Sequence, residues 1–446
     1  MGGLCVRAAL GSAILISACG TSGVIHPGSN TGGVLCAVCM GSLSAGSGSA
    51  GTTAGAGGSS SSSGSLSSSS SSSSSSGGLG ASSGAGSTGG GFTPAPHAPF
   101  AQIPGNQGQV IAAPQLVTVG FPGDEGYDLN GFGDWIMRSD WLESVGAEYG
   151  VGLGGHLQHF VADIALGGGS TIDDVAVRAF LAVSAADGGL SPPTGSTIYL
   201  VVFPAGVTVT SGSFGTSCQN FGGYHDRFSQ DGRDFIYAVI PTCPAGRFAA
   251  IAPPAPVVAS HELLEAATDP SPGNGYSLSS GAWAVLGSEV GDLCEGVVFQ
   301  SDAGYLVQRI WSNRLAAQAD GSPCAPRPPG EVYFNVTAIP TAAAGGQFYA
   351  TVSASAQSQP IDFQLTAWST APVGFGLDLA QLGGPQITAV LKTDGGPPVL
   401  HNGEVLTLTV TVPGGVGSGQ DIGVAIVTSS DGFQTQNLAP LLIQVR

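Results

Sequence analysis

The residues best suited to chemistry lie in Ser260–Pro270, which reads Ser-His-Glu-Leu-Leu-Glu-Ala-Ala-Thr-Asp-Pro. Only 9% of the chain is charged, yet this stretch holds a histidine and three acids at helical spacing. At about 100° per residue, Glu265 lies about 40° around a helix from His261. Asp269 and Glu262 fall within about 100° of the same direction, and the apolar residues point away from it. The pattern predicts a helix with one buried face and one chemical face.

His261 and Glu265 have the spacing of two metal ligands on adjacent turns of a helix. The arrangement is that of the His-Glu-x-x-His helix of zinc peptidases, with Glu in place of the second His. A second acidic segment, Gly287–Glu295, offers Glu289 or Asp292 as a third ligand. Asp292 could instead orient His261 without binding the ion itself.

These residues predict a zinc site in which Glu262 is the general base for metal-activated water. Asp269, at the end of the helix, is a further candidate for completing the site. One imidazole and two carboxylates leave a zinc ion with no formal charge, whereas two imidazoles and one carboxylate leave +1, so the ion here acidifies water less. Carboxylate-rich sites also suit calcium or manganese. The donor set therefore favours metal binding over rapid hydrolysis.

The other histidines are weaker candidates. His225 lies in the loop predicted over residues 211–233, where it could act as a proton donor or oxyanion stabiliser, or simply lie on the surface. His156 and His159 are spaced i, i+3 and could bind metal. The neighbouring glycines and the lack of an acidic partner instead predict that both lie at the edge of a loop.

The chain begins like an exported protein. Residues 1–18 carry Arg7 and then an apolar run, as a secretory signal does. The small residues before Cys19 fit a bacterial lipoprotein signal, and an ordinary cleaved signal is the alternative. On the first interpretation, a lipid on Cys19 anchors the protein to the membrane at the cell envelope or outer surface. Residues 19–99, rich in Gly and Ser, predict a disordered tether.

The net charge and the cysteines limit the classes of function and of cellular location that the chain can have. The net charge is −18 with eleven basic residues, which argues against a nucleic-acid partner. Cys36 and Cys39, in the tether, favour a local disulfide over a metal site. Four further cysteines beyond the tether predict two disulfides, although the sequence allows three connectivities. The preferred pairs are Cys218–Cys243 and Cys294–Cys324.

Hydrophobic patterning predicts two folded parts. The clearest elements are two buried strands and one helix, at Ser196–Pro204, Phe235–Ile240 and Thr171–Ala186. Residues 100–325 are therefore predicted to form an α/β or α+β, metallopeptidase-like domain, followed by a linker at 326–330. Residues 331–446 hold seven short β-rich runs between Gly, Pro and Asn clusters, which predict an all-β immunoglobulin-like sandwich.

The order of features over residues 115–325 resembles the Exordium or phosphate-induced protein family and its bacterial relatives. The matching segments are Tyr149–Gly152, Phe203-Pro204, Gly223–His225, Ser260–Pro270, Glu289–Cys294 and Trp311-Ser312-Asn313. Plant members of that family are extracellular, cell-wall-associated growth proteins that have largely lost the His-Glu pair. The resemblance therefore implies export and a fold more than it implies an activity.

The sequence supports two functions. The first is an exported, surface-anchored, zinc-dependent peptidase that binds a peptide and uses Glu262 as its base. The second is a non-catalytic, Exordium-like surface or adhesion protein with a structural or vestigial metal site and an envelope polymer as its ligand. In the simplest alternative, His261 and Glu265 are an ordinary helix pair, and Glu289 and Asp292 are solvated.

Overall fold

The computed structural model describes residues 91–122, 128–164, 166, 169–244, 254–339, 348–392, 399–430 and 435–446. The predicted signal and the predicted lipidation site Cys19 lie outside the described residues. So do Cys36, Cys39 and all but the last nine residues of the predicted tether. None of the helices in the described part of the chain is long and apolar enough to cross a membrane.

The described residues form five α-helices and twenty strands. The helices are α1 (Leu129–Ile136), α2 (Asp140–Gly146), α3 (Asp174–Ala186), α4 (Ala255–Thr268) and α5 (Asn313–Gln318). The first twelve strands are β1 (Gln115–Gly120), β2 (Gly155–Val161), β3 (Thr171–Asp173), β4 (Thr197–Phe203), β5 (Thr208–Ser211), β6 (Gly215–Thr216), β7 (Tyr224–Gln230), β8 (Arg233–Pro241), β9 (Val298–Gln300), β10 (Leu306–Gln308), β11 (Ile310–Trp311) and β12 (Cys324–Ala325). The last eight are β13 (Phe334–Ile339), β14 (Phe348–Val352), β15 (Gln359–Ser369), β16 (Gly376–Gly383), β17 (Thr388–Lys392), β18 (Val405–Val412), β19 (Asp421–Ser430) and β20 (Thr435–Val445).

A five-stranded sheet in the order β2-β1-β4-β8-β7 organises the first part. Its strands are parallel except β7, which pairs antiparallel with β8 at one edge. β4 is buried over its whole length, as its continuous apolar run predicts for a central parallel strand. Its side chains alternate between two cores: Leu200 packs on the side of α4, and Val201 packs on the side of α3. The sheet therefore lies between layers of helices.

Three elements differ from the sequence-based expectation. The helix predicted from Thr171 begins at Asp174, because Thr171 and Ile172 are β-branched and extend as β3 alongside β5. Asp173, rather than Thr171, caps α3 by accepting a hydrogen bond from Ala176 N at 2.7 Å. The two other differences concern histidines, which lie on strands instead of loops. They are His156 and His159 on β2 and His225 on β7.

The C-terminal part is made of two four-stranded sheets, β13-β15-β18-β17 and β14-β20-β19-β16. A common core of apolar residues lies between them. Each of the seven predicted β-rich runs overlaps a strand, and β16 is an additional strand. The protein is thus a mixed α/β structure with many strands and few helices, in agreement with the predicted α+β class and β-sandwich.

The two parts share a core. Trp368, on β15 of the sandwich, belongs to the same apolar cluster as Trp283 and Trp311 of the first part. Phe100 contacts all three rings, at centroid separations of 5.9 to 6.2 Å. Because apolar surface from both parts is removed from water in this cluster, it stabilises their contact.

Both predicted disulfides are confirmed. Cys218 bonds to Cys243 and Cys294 bonds to Cys324, with S–S distances of 2.00 and 2.02 Å. Disulfides of this kind form in oxidising compartments, so they agree with an extracellular location. The second bridge ties the end of the acidic segment to β12.

Replacing Trp368 with alanine is expected to destabilise the protein by about 3–5 kcal/mol, because the substitution opens a cavity in the shared core. Chemical denaturation measures this free energy of unfolding. Val390→Ala, at a position 59% exposed in the same sheet, is the control and should cost less than about 1 kcal/mol. If Trp368→Ala lowered the free energy of unfolding by less than about 1 kcal/mol, the shared core would contribute little to stability.

Candidate metal centre

Helix α4 carries the centre, and its ends are set by prolines. Pro254 is the residue before the first turn and Pro256 lies within that turn, where a missing N–H costs nothing. The helix ends at Thr268, and Asp269-Pro270 prevents its continuation. α4 is buried nearly all round, so the expectation of a single buried face is wrong. The helix packs between the sheet and β10, which leaves its polar side chains inside the protein.

The acidic segment reaches α4 through a tight turn. Asp292 Oδ2 accepts hydrogen bonds from Ser288 N at 2.9 Å and Glu289 N at 3.0 Å. Gly291 then passes directly over the helix: a Cβ at this position would lie 2.8 Å from both Glu265 Oε1 and His261 Nδ1. Only glycine allows the two segments to approach this closely.

Glu265 joins the helix to this segment. Its Oε1 accepts hydrogen bonds from Gly291 N at 2.9 Å and Asp292 N at 3.2 Å. Its Oε2 lies 3.0 Å from His261 Nε2, and Asp292 Oδ1 lies 3.6 Å from the same nitrogen. Ligand atoms of His261, Glu265 and Asp292 lie within 4.8 Å of one another, so the three residues could hold a metal ion.

Gln308 fixes which nitrogen of His261 faces the carboxylates. The Gln308 amide nitrogen donates to Gly291 O at 2.7 Å, so its Oε1 is the acceptor for His261 Nδ1 at 3.1 Å. His261 therefore carries a proton on Nδ1 and directs Nε2 toward Glu265 and Asp292. A metal-binding histidine is commonly held in this way by a hydrogen bond to its other nitrogen.

His225 also lies close to Glu265. From β7, its Nδ1 is 3.3 Å from Glu262 Oε2 and 3.8 Å from Glu265 Oε2. Its Nε2 is 3.1 Å from the carbonyl oxygen of Asp269 and 3.6 Å from Glu289 Oε1. His225 is only 4% exposed, so the alternative that it lies on the surface is wrong.

The structure brings six of the candidate residues into one cluster, whose members are His225, Glu262, His261, Glu265, Glu289 and Asp292. Glu289 and Asp292 are 5% and 6% exposed, so the alternative that they are solvated is wrong. Asp269 has another role, because its carboxylate accepts hydrogen bonds from the backbone of Gly273, Asn274 and Gly275 and closes the loop after α4.

Burial and mutual proximity shift the pKa values in the cluster. Burial alone would lower the pKa of His225, but its hydrogen bond to Glu262 and the surrounding carboxylates outweigh this effect and raise the pKa to about 9. His261 behaves similarly: burial opposes protonation, yet Glu265 raises the pKa well above its ordinary value. Burial and the nearby carboxylates raise the pKa of Glu289 well above its ordinary value. The cluster thus attracts positive charge.

The residues fit a divalent ion. Two ligands of a tetrahedral ion with bonds of about 2.1 Å are about 3.4 Å apart, close to the 3.0 and 3.6 Å measured from His261 Nε2. Among the described residues, no lysine or arginine forms an ion pair with the cluster carboxylates. A donor set of one imidazole and two carboxylates suits zinc and also harder ions.

The remaining predicted histidines form a separate group. His156 Nδ1 lies 2.9 Å from Asp134 Oδ1, so the expectation that it lacks an acidic partner is wrong. Thr118 Oγ1 lies 2.9 Å from His156 Nε2 and 3.0 Å from His159 Nδ1. With one acid, 59% exposed, the group is a hydrogen-bonded connection between α1 and the sheet. It is not among the candidate metal clusters of the described residues.

Comparison with known proteins adds little. No protein-family model matches the chain, and no curated protein matches it. Among solved structures, the chain is similar to domains 4 and 5 of the S-layer protein SbsC, with 12% identity and a TM-score of 0.17. That match covers 26% of this chain and 53% of the other. It is too weak to support an argument about fold or function.

Replacing Gln308 with leucine is expected to weaken zinc binding by about 10- to 100-fold, because His261 loses the acceptor that orients it. Competition with a chromophoric chelator measures the dissociation constant. The matched control is Gln300→Leu on β9, where the side chain is exposed. Equal affinities for the two variants would exclude an orienting role for Gln308.

Zinc binding at pH 7 is expected to release protons, because the raised pKa of His261 leaves it protonated in the metal-free chain and the raised pKa of Asp292 also favours a bound proton there. Titration calorimetry in buffers of different ionisation enthalpy measures the number released. His401, whose side chain is 60% exposed, provides the control His401→Gln, which should leave it unchanged. A heat of binding that does not vary with the buffer would contradict this expectation.

Proposed function

We propose that this chain is an exported, zinc-dependent hydrolase of the peptidase type. The observation that carries the proposal is the convergence of His261, Glu265 and Asp292 within 4.8 Å. Catalytic zinc sites use three protein ligands and keep one further position free, whereas structural sites usually have four protein ligands. A set of three ligands therefore favours catalysis.

The chain supplies the other groups that hydrolysis needs. A bound divalent ion would polarise a substrate carbonyl and lower the pKa of water. Glu262, next to His261 in sequence and 5% exposed, is the proposed general base. His225, 3.3 Å from Glu262, would exchange a proton with that carboxylate and stabilise negative charge on the substrate.

Peptides are the proposed substrates because the His-Glu-x-x-Glu helix resembles that of zinc peptidases. The proposed setting is the bacterial envelope, with a lipid on Cys19 as anchor. The two disulfides support export, and the Exordium resemblance agrees with it. Calcium or manganese remain alternative ions, because carboxylates outnumber imidazoles in the cluster.

A second candidate is a non-catalytic, Exordium-like surface or adhesion protein that binds an envelope polymer. Burial is the observation that favours it: Glu262, Glu265, Glu289 and Asp292 are each at most 6% exposed. A substrate would have to reach these groups through the side of the centre where His261 is 13% exposed. On this proposal the ion only stabilises the fold.

Replacing Glu262 with glutamine is expected to lower peptide hydrolysis by about 10²- to 10⁴-fold while zinc content stays unchanged, because the change removes a base and no ligand. Hydrolysis of a quenched fluorescent peptide library measures the activity, and elemental analysis measures the zinc. Glu143→Gln, on the exposed surface of α2, is the matched control.

The outcomes separate the two candidates. Hydrolysis that survives in zinc-loaded Glu262→Gln would remove Glu262 from the role of base. A wild-type chain that holds zinc and cleaves no peptide would support the non-catalytic protein. If the wild-type chain holds no divalent ion, and His261→Ala changes neither metal content nor thermal stability, the centre itself is excluded.

A further inference from the structure

Glu289 carries an oxygen that no hydrogen bond occupies. The residue is 5% exposed, and its Oε1 is buried without a hydrogen-bond partner. A buried carboxylate oxygen in this condition is costly unless a proton or cation lies against it. His225 Nε2, at 3.6 Å, is too distant for a hydrogen bond and lies 3.1 Å from the carbonyl oxygen of Asp269, so it does not satisfy this oxygen.

Glu289 belongs to a second set of converging ligands. Atoms of His225, Glu265 and Glu289 lie within 4.8 Å of one another, as do those of His261, Glu265 and Asp292. The two sets share Glu265 and differ in every other member. Because each set has one imidazole and two carboxylates, each offers the same donors to a metal.

One oxygen of Glu265 faces both sets. Its Oε1 is held by two backbone N–H groups of the acidic segment. Its Oε2 lies 3.0 Å from His261 Nε2 and 3.8 Å from His225 Nδ1, so the oxygen is close to both rings. A carboxylate oxygen in this position can be shared by two cations.

The charge of the cluster also favours a second cation. Five carboxylates are buried here, on Glu262, Glu265, Asp269, Glu289 and Asp292. With all five ionised, one divalent ion would leave three negative charges, of which a protonated His225 would offset one, and the backbone N–H groups of Gly273, Asn274 and Gly275 stabilise that of Asp269. Unpaired buried charges are costly, and a second divalent ion would remove most of the remaining imbalance.

We propose that the cluster is a two-ion centre, in which His225, Glu289 and the shared Glu265 hold a second divalent cation. The proposal rests on the proposed function for the first ion, at His261 and Asp292. It gives His225 the role of a ligand in place of proton exchange with Glu262. Zinc or manganese suits the donors of both sets. Paired sites of this kind have ions about 3.5–4 Å apart and occur in aminopeptidases and phosphatases.

Zinc stoichiometry tests the two-ion centre. The full chain is dialysed against buffered zinc, and metal and protein are measured by elemental analysis. The wild type should hold about two equivalents, whereas Glu289→Gln and Asp292→Asn should each hold about one. Glu265→Gln should hold the least. Glu262→Gln is the matched control, because it neutralises a neighbouring carboxylate outside both sets and should keep both ions.

The zinc content of the wild type distinguishes failure of the second site from failure of the proposed function. One equivalent in the wild type, unchanged in Glu289→Gln, would overturn the second site and leave the proposed function standing. A wild-type chain that holds no zinc would contradict both the second site and the proposed function. Circular dichroism monitors folding of each variant, and the wild-type stoichiometry decides the question even if a variant unfolds.

Manganese provides an independent readout of the shared oxygen. Electron paramagnetic resonance of the wild type loaded with Mn²⁺ should give the spectrum of an exchange-coupled pair. The hyperfine pattern of isolated Mn²⁺ at full loading would contradict a shared Glu265.

Discussion

The buried carboxylate of Glu265 is the constraint on which the centre depends. Helix α4 cannot satisfy this group, because its own N–H groups are used within the helix. The N–H groups of Gly291 and Asp292 serve instead, at 2.9 and 3.2 Å. Docking the acidic segment on the helix is therefore what makes the burial of Glu265 tolerable. The same contact also places Asp292 next to His261. The packing of the acidic segment on α4 therefore also determines the arrangement of the candidate ligands.

Much of the centre was predictable because helical spacing is a local property. Two residues four apart share a side of any helix, so the pairing of His261 with Glu265 follows from sequence alone. Gln308 was not predictable, because it lies 47 residues beyond His261 and reaches it only through the path of β10. For the same reason the sequence left Glu289 and Asp292 as alternatives, whereas the fold directs them to different histidines.

The fold was predictable where the pattern of buried residues is unambiguous. The continuous apolar run of β4 has no exposed position, which is typical of a central parallel strand. The apolar pattern predicts too long a helix at α3, because Ile172 fits the helical period although it is buried in β3. The exposed face predicted for α4 is wrong, because the spacing of polar residues shows only which side of the helix is polar. It does not show that β10 and the acidic segment cover that side.

The scarcity of basic residues has a wider consequence. The chain has eleven lysines and arginines, and in its described part none pairs with the cluster. On the proposed function, bound cations would balance the charge of the cluster. A ligand that binds only the folded state adds about 1.4 kcal/mol of stability for each tenfold rise in its concentration above the dissociation constant. If the cluster binds its ions as proposed, the free energy of unfolding would increase with the concentration of divalent ions around the protein.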